Sequence, residues 1–323
     1  MKKILYVLGG LILLMLVVAL GALLYLQIAF PNVSPAKDIT IEATEDRLAR
    51  GEYLVKHVSL CLDCHSSKNP DYYASPIIAG TEGMGGDLFP GIPGQLYTPN
   101  ITPAALKDWT DGEIARAITS GVDKDNQPLA PMMPFMEYRY LAEEDIYSMV
   151  AYLRSLPAIE NEVPESSIDF PVNLIFRTIP TDPDPQPLPD PSDSLATGKY
   201  LTRIGGCMFC HTPSHQGTPI EGKELSGGFE FSDPKTGTLR SANLTPDMET
   251  GIGSWSKEVF VNRFKAFADS AASHLPVSNV GFQTVMPWTL QAGMTEEDLG
   301  AIYAYLQSLD PIQNKVEKFT PPQ

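Results

Sequence analysis

The sequence predicts an all-α protein: one membrane-length N-terminal helix followed by two tandem copies of a helical module. Three observations predict it. An apolar run extends from Ile4 to Phe30 behind Lys2 and Lys3, broken only by Gln27. Two later blocks carry the same short motifs in the same order. Near the end of each block, apolar residues recur at helical spacing. Ile146, Met149, Val150 and Leu153 do so in the first, and Leu299, Ile302, Tyr303 and Leu306 in the second.

The N-terminal run suffices to cross ~30 Å of hydrocarbon as a helix. A cleaved signal has a shorter apolar region, of about 7–15 residues, and a small-residue cleavage site. Ala19-Leu20-Gly21-Ala22 offers only a weak one, so an uncleaved anchor over residues 1–30 is the expectation. The two lysines hold the N-terminus inside, which places the rest on the periplasmic face of a bacterial cytoplasmic membrane.

The repeat is read directly. Leu48-Ala49-x-Gly51-x-Tyr53-Leu54 corresponds to Leu195-Ala196-x-Gly198-x-Tyr200-Leu201. Asn100-Ile101-Thr102-Pro103 corresponds to Asn243-Leu244-Thr245-Pro246, Trp109 to Trp255, and Met133-Pro134-Phe135 to Met286-Pro287-Trp288. Between the blocks, Pro183, Pro185, Pro187, Pro189 and Pro191 alternate with other residues, which predicts a stiff, extended spacer. The expected domains are 31–160 and 193–323, with a Pro-rich linker over 161–192 whose first part wraps against the first domain. Thr110 with Glu113 and Thr295 with Asp298 read as capping boxes opening helices. The Gly-, Pro- and Asn-rich stretches between cysteine motif and tryptophan read as loops with a short hairpin.

All four cysteines fall in two C-x-x-C-H motifs, Cys61-Leu62-Asp63-Cys64-His65 and Cys207-Met208-Phe209-Cys210-His211. Two thiols on one helical turn can each bond a vinyl group of the same porphyrin, and the adjacent imidazole then lies under the iron. A zinc site would want its cysteine pairs about 15–20 residues apart, and a thioredoxin-like site would want a βαβ unit. Neither pattern is present in the sequence. The expected cofactors are two covalently bound haem c groups, attached at Cys61, Cys64, Cys207 and Cys210, with His65 and His211 as proximal ligands. Met133 and Met286 are the expected distal ligands, because a soft thioether suits ferrous iron and only these two methionines are related by the repeat. Met132, Met136, Met294 and His274 are the neighbouring competitors. Asn100, Trp109, Asn243 and Trp255 carry N–H donors suited to haem propionates, with turn and packing roles as the alternative. His57 has no counterpart in the second block, and His215 reads as a surface residue.

Each block resembles a class I cytochrome c. The resemblance rests on the C-x-x-C-H motifs, on Gly121-Val122, Pro128-Leu129, Pro131 and Met133-Pro134 in the first block, and on Asn243-Leu244-Thr245-Pro246, Gly251, Gly253 and Trp255 in the second. It covers roughly 44–157 and 193–310. The first block departs from the pattern before Trp109, where it lacks the glycines and is three residues shorter. The whole is similar to membrane-anchored dihaem c-type cytochromes and to haem modules in the cytochrome subunits of periplasmic alcohol and sugar dehydrogenases. This implies an all-α haem fold with His/Met iron in each half.

The chain carries 39 acidic against 23 basic residues, a net charge of −16. Such a field repels nucleic acid and anionic headgroups and favours a redox partner with a basic patch. The expected function is relay of single electrons between a donor and an acceptor beside the membrane, and not catalysis. A dihaem enzyme of peroxidase or thiosulfate-oxidising type is the alternative, as is a tightly bound cytochrome subunit of a larger dehydrogenase or oxidase complex. An enzyme needs a displaceable axial ligand, for which the sequence offers only His274.

Overall fold

The computed structural model describes residues 2–322 apart from 216, 234, 235, 270, 272 and 273. Helix α1 (Lys2–Ala29) spans 28 residues, none of them buried. At 1.5 Å per residue it is about 42 Å long, longer than the hydrocarbon core. By length and composition it is a candidate membrane span.

In the first repeat, α2 (Glu45–Tyr53) packs against α7 (Glu143–Ser155). In the second, α9 (Ser194–Ile204) packs in the same way against a helix over Glu296–Gln307. Both crossings use the glycine that the repeat preserves. A Cβ at Gly51 would overlap the Ser148 carbonyl, and one at Gly198 the Ala301 carbonyl. The backbones touch, so no side chain fits there. The apolar stripes read from the sequence form the core. Ile146, Met149, Val150, Leu153, Leu299, Ile302 and Leu306 are all buried, in one cluster shared by both repeats. Each side chain of this size contributes about 1.5–3 kcal/mol on burial.

Tyr53 and Cys61 are one residue further apart than Tyr200 and Cys207. The structure absorbs the extra residue in a π-helical turn, Leu54–Val58, closed by the Ser59 N–H to the Leu54 carbonyl at 2.8 Å. A π-turn accommodates one residue without breaking the helix. Leu54, Val55 and Val58 therefore stay fully buried, while α9 runs on as regular helix to Ile204.

The fold is mainly helical, and three small antiparallel sheets correct the all-α expectation. In the first repeat β1 (Leu88–Phe89) pairs β2 (Gly94–Tyr97), and β3 (Ser167–Ile168) adds from the expected linker. In the second, β4 (Ser214–His215) pairs β5 (Thr218–Pro219). There too, β6 (Glu230–Asp233) pairs β7 (Gly237–Arg240), which takes β8 (Phe319–Thr320) from the C-terminal tail. Each sheet ties a loop or tail to its own repeat. The segment after Asn161 thus folds back on the first repeat, and the Asp184 N–H still reaches the Arg139 carbonyl at 2.8 Å.

The repeats meet through equivalent surfaces. Arg203 pairs with Glu137 at 3.1 Å and lies over the Tyr140 ring. From the other side, His57 Nδ1 contacts the Leu290 carbonyl at 2.7 Å. Glu137 and Leu290 follow Met133 and Met286 by the same four positions.

Candidate functional site

Each C-x-x-C-H motif forms its own one-turn helix, α3 (Cys61–His65) and α10 (Cys207–His211). The residue before each first cysteine is left-handed: Leu60 with φ 56° and Gly206 with φ 67°. That reversal starts a new helix at an angle to the preceding one and brings both thiols and the imidazole onto one short turn. The four cysteines form no disulfide with one another. Burial pushes the Cys61 and Cys207 thiols of the unmodified chain up to about 12.

The histidines are held identically. His65 Nδ1 lies 2.7 Å from the Pro99 carbonyl and His211 Nδ1 lies 2.8 Å from the Ala242 carbonyl. A carbonyl only accepts, so Nδ1 carries the proton in both rings and Nε2 presents its lone pair. Burial holds both imidazoles below their ordinary range, hence neutral and able to ligate. The His65 carbonyl accepts from Gly85 N–H at 2.9 Å and the His211 carbonyl from Gly227 N–H at 2.7 Å. Ring and backbone of each histidine are thus fixed by the same loop. The sequence signal for this loop is a glycine pair at equivalent places in both repeats, Gly85-Gly86 and Gly227-Gly228; the acceptor carbonyls carry none.

Met133 and Met286 occupy matching turns. Phe135 N–H reaches the Met133 carbonyl at 2.8 Å, and Trp288 N–H reaches the Met286 carbonyl at 2.8 Å. Pro134 (φ −80°, ψ 46°) and Pro287 (φ −80°, ψ 59°) form the centre of an inverse γ-turn in each case. The aromatic residue then anchors the turn. Phe135 is fully buried, and Trp288 stacks on Phe267 at 5.5 Å. Both methionines are half-buried against the core. Of the competitors, Met294 is buried in the core, Met136 is exposed, and His274 is exposed against the Tyr72 ring. His57 spends Nδ1 on the Leu290 carbonyl. His215 sits exposed on β4.

Asn100 and Asn243 have a visible structural task. Asn100 Oδ1 accepts from Thr102 N–H and Oγ1 at 2.8 Å each, and its amide donates to the Ile159 carbonyl. Asn243 does the same with Thr245 and the Ile312 carbonyl, and also donates to Thr250. Each asparagine pins the chain after the last helix to the loop that holds the histidine. Trp109 and Trp255 are half-buried against the core, and their backbone carbonyls accept from Arg154 and Tyr303.

These residues fit a covalently attached haem in both repeats. Two thiols and a tautomer-fixed imidazole share one turn, and a thioether turn follows later in the same repeat. Trp288 Nε1, beside the Met286 turn, is buried without a protein acceptor. Among the described residues, no group of three or more His, Cys, Asp or Glu side chains converges as a metal site.

The chain is similar to cytochrome c subunits of dehydrogenases and to a dihaem c-type cytochrome. It is 26% identical over 297 residues to the cytochrome c subunit of a quinone-dependent alcohol dehydrogenase from Gluconacetobacter polyoxogenes, covering 87% of this chain and 60% of that protein. It is 27% identical over 286 residues to a gluconate 2-dehydrogenase cytochrome c subunit from Pantoea cypripedii, covering 83% and 60%. A "diheme cytochrome c-type" of Cereibacter sphaeroides is 25% identical over 264 residues, covering 78% and 83%. The chain thus spans about 60% of the length of the dehydrogenase subunits it matches. No family model matches the sequence.

Proposed function

We propose that this chain is a dihaem electron carrier tethered to the membrane by residues 1–30. Residues 31–160 and 193–323 each form one haem-binding unit, joined by 161–192. The observation that carries the reading is the twofold occurrence of one geometry: C-x-x-C-H on a single turn, with Nδ1 locked to a carbonyl and Nε2 left free. Cys61 and Cys64, and Cys207 and Cys210, would hold the haems by thioether bonds. His65 with Met133, and His211 with Met286, would ligate the irons. A bound haem supplies a reversible one-electron couple, which soft sulfur ligation raises in potential.

The residues do the remaining work. The Pro99 and Ala242 carbonyls orient the imidazoles and increase their donor strength. Phe135 and Trp288 keep the thioether turns in place. A Cβ placed on Gly205, two residues before Cys207, would lie 3.6 Å from the Val58 carbonyl, three residues before Cys61, so the segments leading into the two attachment turns approach each other across the repeat interface. That proximity favours passage of an electron within the molecule. The relatives' names place such subunits with alcohol, gluconate and fructose dehydrogenases. The donor proposed here is accordingly a dehydrogenase complex at the outer membrane face, and the acceptor a component of a respiratory chain.

Exposure of the reduced protein to carbon monoxide tests the relay. Two six-coordinate irons leave its spectrum unchanged. Rapid binding at one haem, with turnover of peroxide or thiosulfate, contradicts the relay and supports an enzyme.

A further inference from the structure

The end of α1 meets a short segment that lies between the two repeats in the sequence. Helix α8 (Val172–Arg177) packs beside α1. Arg177 turns back onto that helix end, donating to the Phe30 carbonyl from Nε at 3.1 Å and from Nη2 at 2.5 Å, and to the Gln27 carbonyl at 3.2 Å. Its Nη1 donates to Gln127 Oε1 at 3.1 Å, in a loop of the first repeat. The last carbonyls of a helix lack intrahelical partners, and at a bilayer boundary an unpaired carbonyl is costly. Arg177 satisfies the Gln27 carbonyl and that of Phe30 just beyond the helix, and joins α1, α8 and the first repeat in one junction.

The outer side of this junction is apolar. Phe170 is 69% exposed and Ile175 53% exposed. Val172, Leu174, Phe176 and Ile179 are half-buried around them. Arg177 is the single charged residue between 170 and 180, and it is engaged with α1. Tyr25, exposed on the last turns of α1, lies edge-on to Phe30 at 6.2 Å, at the level where aromatic residues collect in membrane interfaces.

We propose that residues 170–179 lie in the headgroup–acyl boundary of the outer leaflet, with Phe170 and Ile175 inserted among the lipid chains. This rests on the reading of α1 as a retained membrane span. The occupant of the apolar face is then the bilayer that α1 enters, because the segment is continuous with the point where α1 leaves it. Insertion is driven by apolar burial. The chain is net −16, and its one local cation is already paired, so the contact does not depend on anionic lipid. Two attachments, α1 and the α8 segment, fix the tilt of the first repeat above the membrane, which a single tether would leave free.

The test uses the full-length holoprotein in nanodiscs of zwitterionic phospholipid. Phe170→Cys, Ile175→Cys, Tyr25→Cys and Leu188→Cys are spin-labelled singly, with the parent chain as background, and accessibility to oxygen and to a water-soluble nickel chelate is measured. Leu188 is 47% exposed on the Pro-rich spacer and serves as the water reference. Oxygen exceeding nickel at 170 and 175, as at 25, is the expected result. Values at 170 and 175 matching those at 188, while 25 remains lipid-like, overturn the proposal in favour of a face covered by a partner protein. Water-like values at 25 as well overturn the anchor reading, and this one with it.

Discussion

The Tyr53 hydroxyl donates to the Asp298 carboxylate at 2.5 Å, joining positions 245 residues apart. The reverse pair is also made: Tyr200 donates to Asp145 at 2.7 Å. Tyr53 and Tyr200 hold the same place in the repeat, as do Asp145 and Asp298. Each hydroxyl also accepts the N-cap N–H of the helix it meets, from Thr295 at 3.2 Å and from Ala142 at 3.1 Å. In an ordinary capping box the N3 carboxylate takes the N-cap N–H itself, as Glu113 does for Thr110 at 2.7 Å. Here a tyrosine from the opposite repeat is interposed between the two. The contact is isologous in the manner of a two-fold dimer, within one chain.

Tyr200→Phe should therefore weaken the joint between repeats. It leaves the Ala142 N–H without its acceptor and takes from the almost fully buried Asp145 one of the two hydrogen bonds at Oδ2, a cost of about 1–3 kcal/mol. Burial, and then the Asp145 charge, hold the Tyr200 hydroxyl far above its ordinary value. Its contribution is thus complete below the unfolded tyrosine value of about 10 and declines only at more alkaline pH. Urea unfolding of wild type and variant at neutral pH measures the difference.

Arg50→Ala should cost more. Both Asp145 oxygens accept from Arg50 at 2.8 Å, and removing the cation leaves a buried carboxylate without its counter-charge, about 3–5 kcal/mol. Arg50→Lys should recover only part, because lysine cannot reproduce the bidentate geometry. The ordering wild type, Lys, Ala in urea midpoint checks this.

Gly51→Ala and Gly198→Ala should each destabilise by about 1–3 kcal/mol, although alanine is the better helix former. The added methyl meets a backbone carbonyl, which cannot rotate away. Thermal unfolding scans of each variant compare the two repeats directly.

Tyr138→Phe probes the region between the attachment turns. The buried Tyr138 hydroxyl donates to the Ser59 carbonyl at 2.5 Å, two residues before Cys61. Loss of that donor should cost about 1–3 kcal/mol, while both haems remain attached. Unfolding together with the haem-to-protein ratio separates the two effects.

How much of this was legible in the sequence depended on the range of the interaction. The C-x-x-C-H turns, the last helix of each repeat and the Thr110 cap are local, and the residues specify them. The Thr295 capping box forms only in part: Thr295 accepts from Asp298 N–H at 3.1 Å, but the Asp298 side chain turns to Tyr53. That pairing needs the second repeat in place, so no local pattern encodes it. The π-turn was visible only as one extra residue between Tyr53 and Cys61. The hairpins β1–β2 and β6–β7 lie in the stretches where the sequence reads a short hairpin, but strands as short as Ser167–Ile168 carry no alternation, and β2 finds β3 about 70 positions away. For Asn100 and Asn243, amide chemistry alone does not choose between a cofactor and a carbonyl; the Ile159 and Ile312 carbonyls supply the visible partners.

Met133→Ala and Met286→Ala should each remove about half of the near-infrared sulfur-to-iron charge-transfer band of the ferric protein, as independent sites do. An unchanged band in either variant would move the ligand to a neighbour such as Met132 or Met294.

The most direct test of the central claim is the intact mass of the denatured, purified protein. Two covalent haems predict the polypeptide mass plus two haem groups that resist extraction by acidic acetone. One haem, none, or haem lost to the extraction would contradict the assignment of both C-x-x-C-H turns.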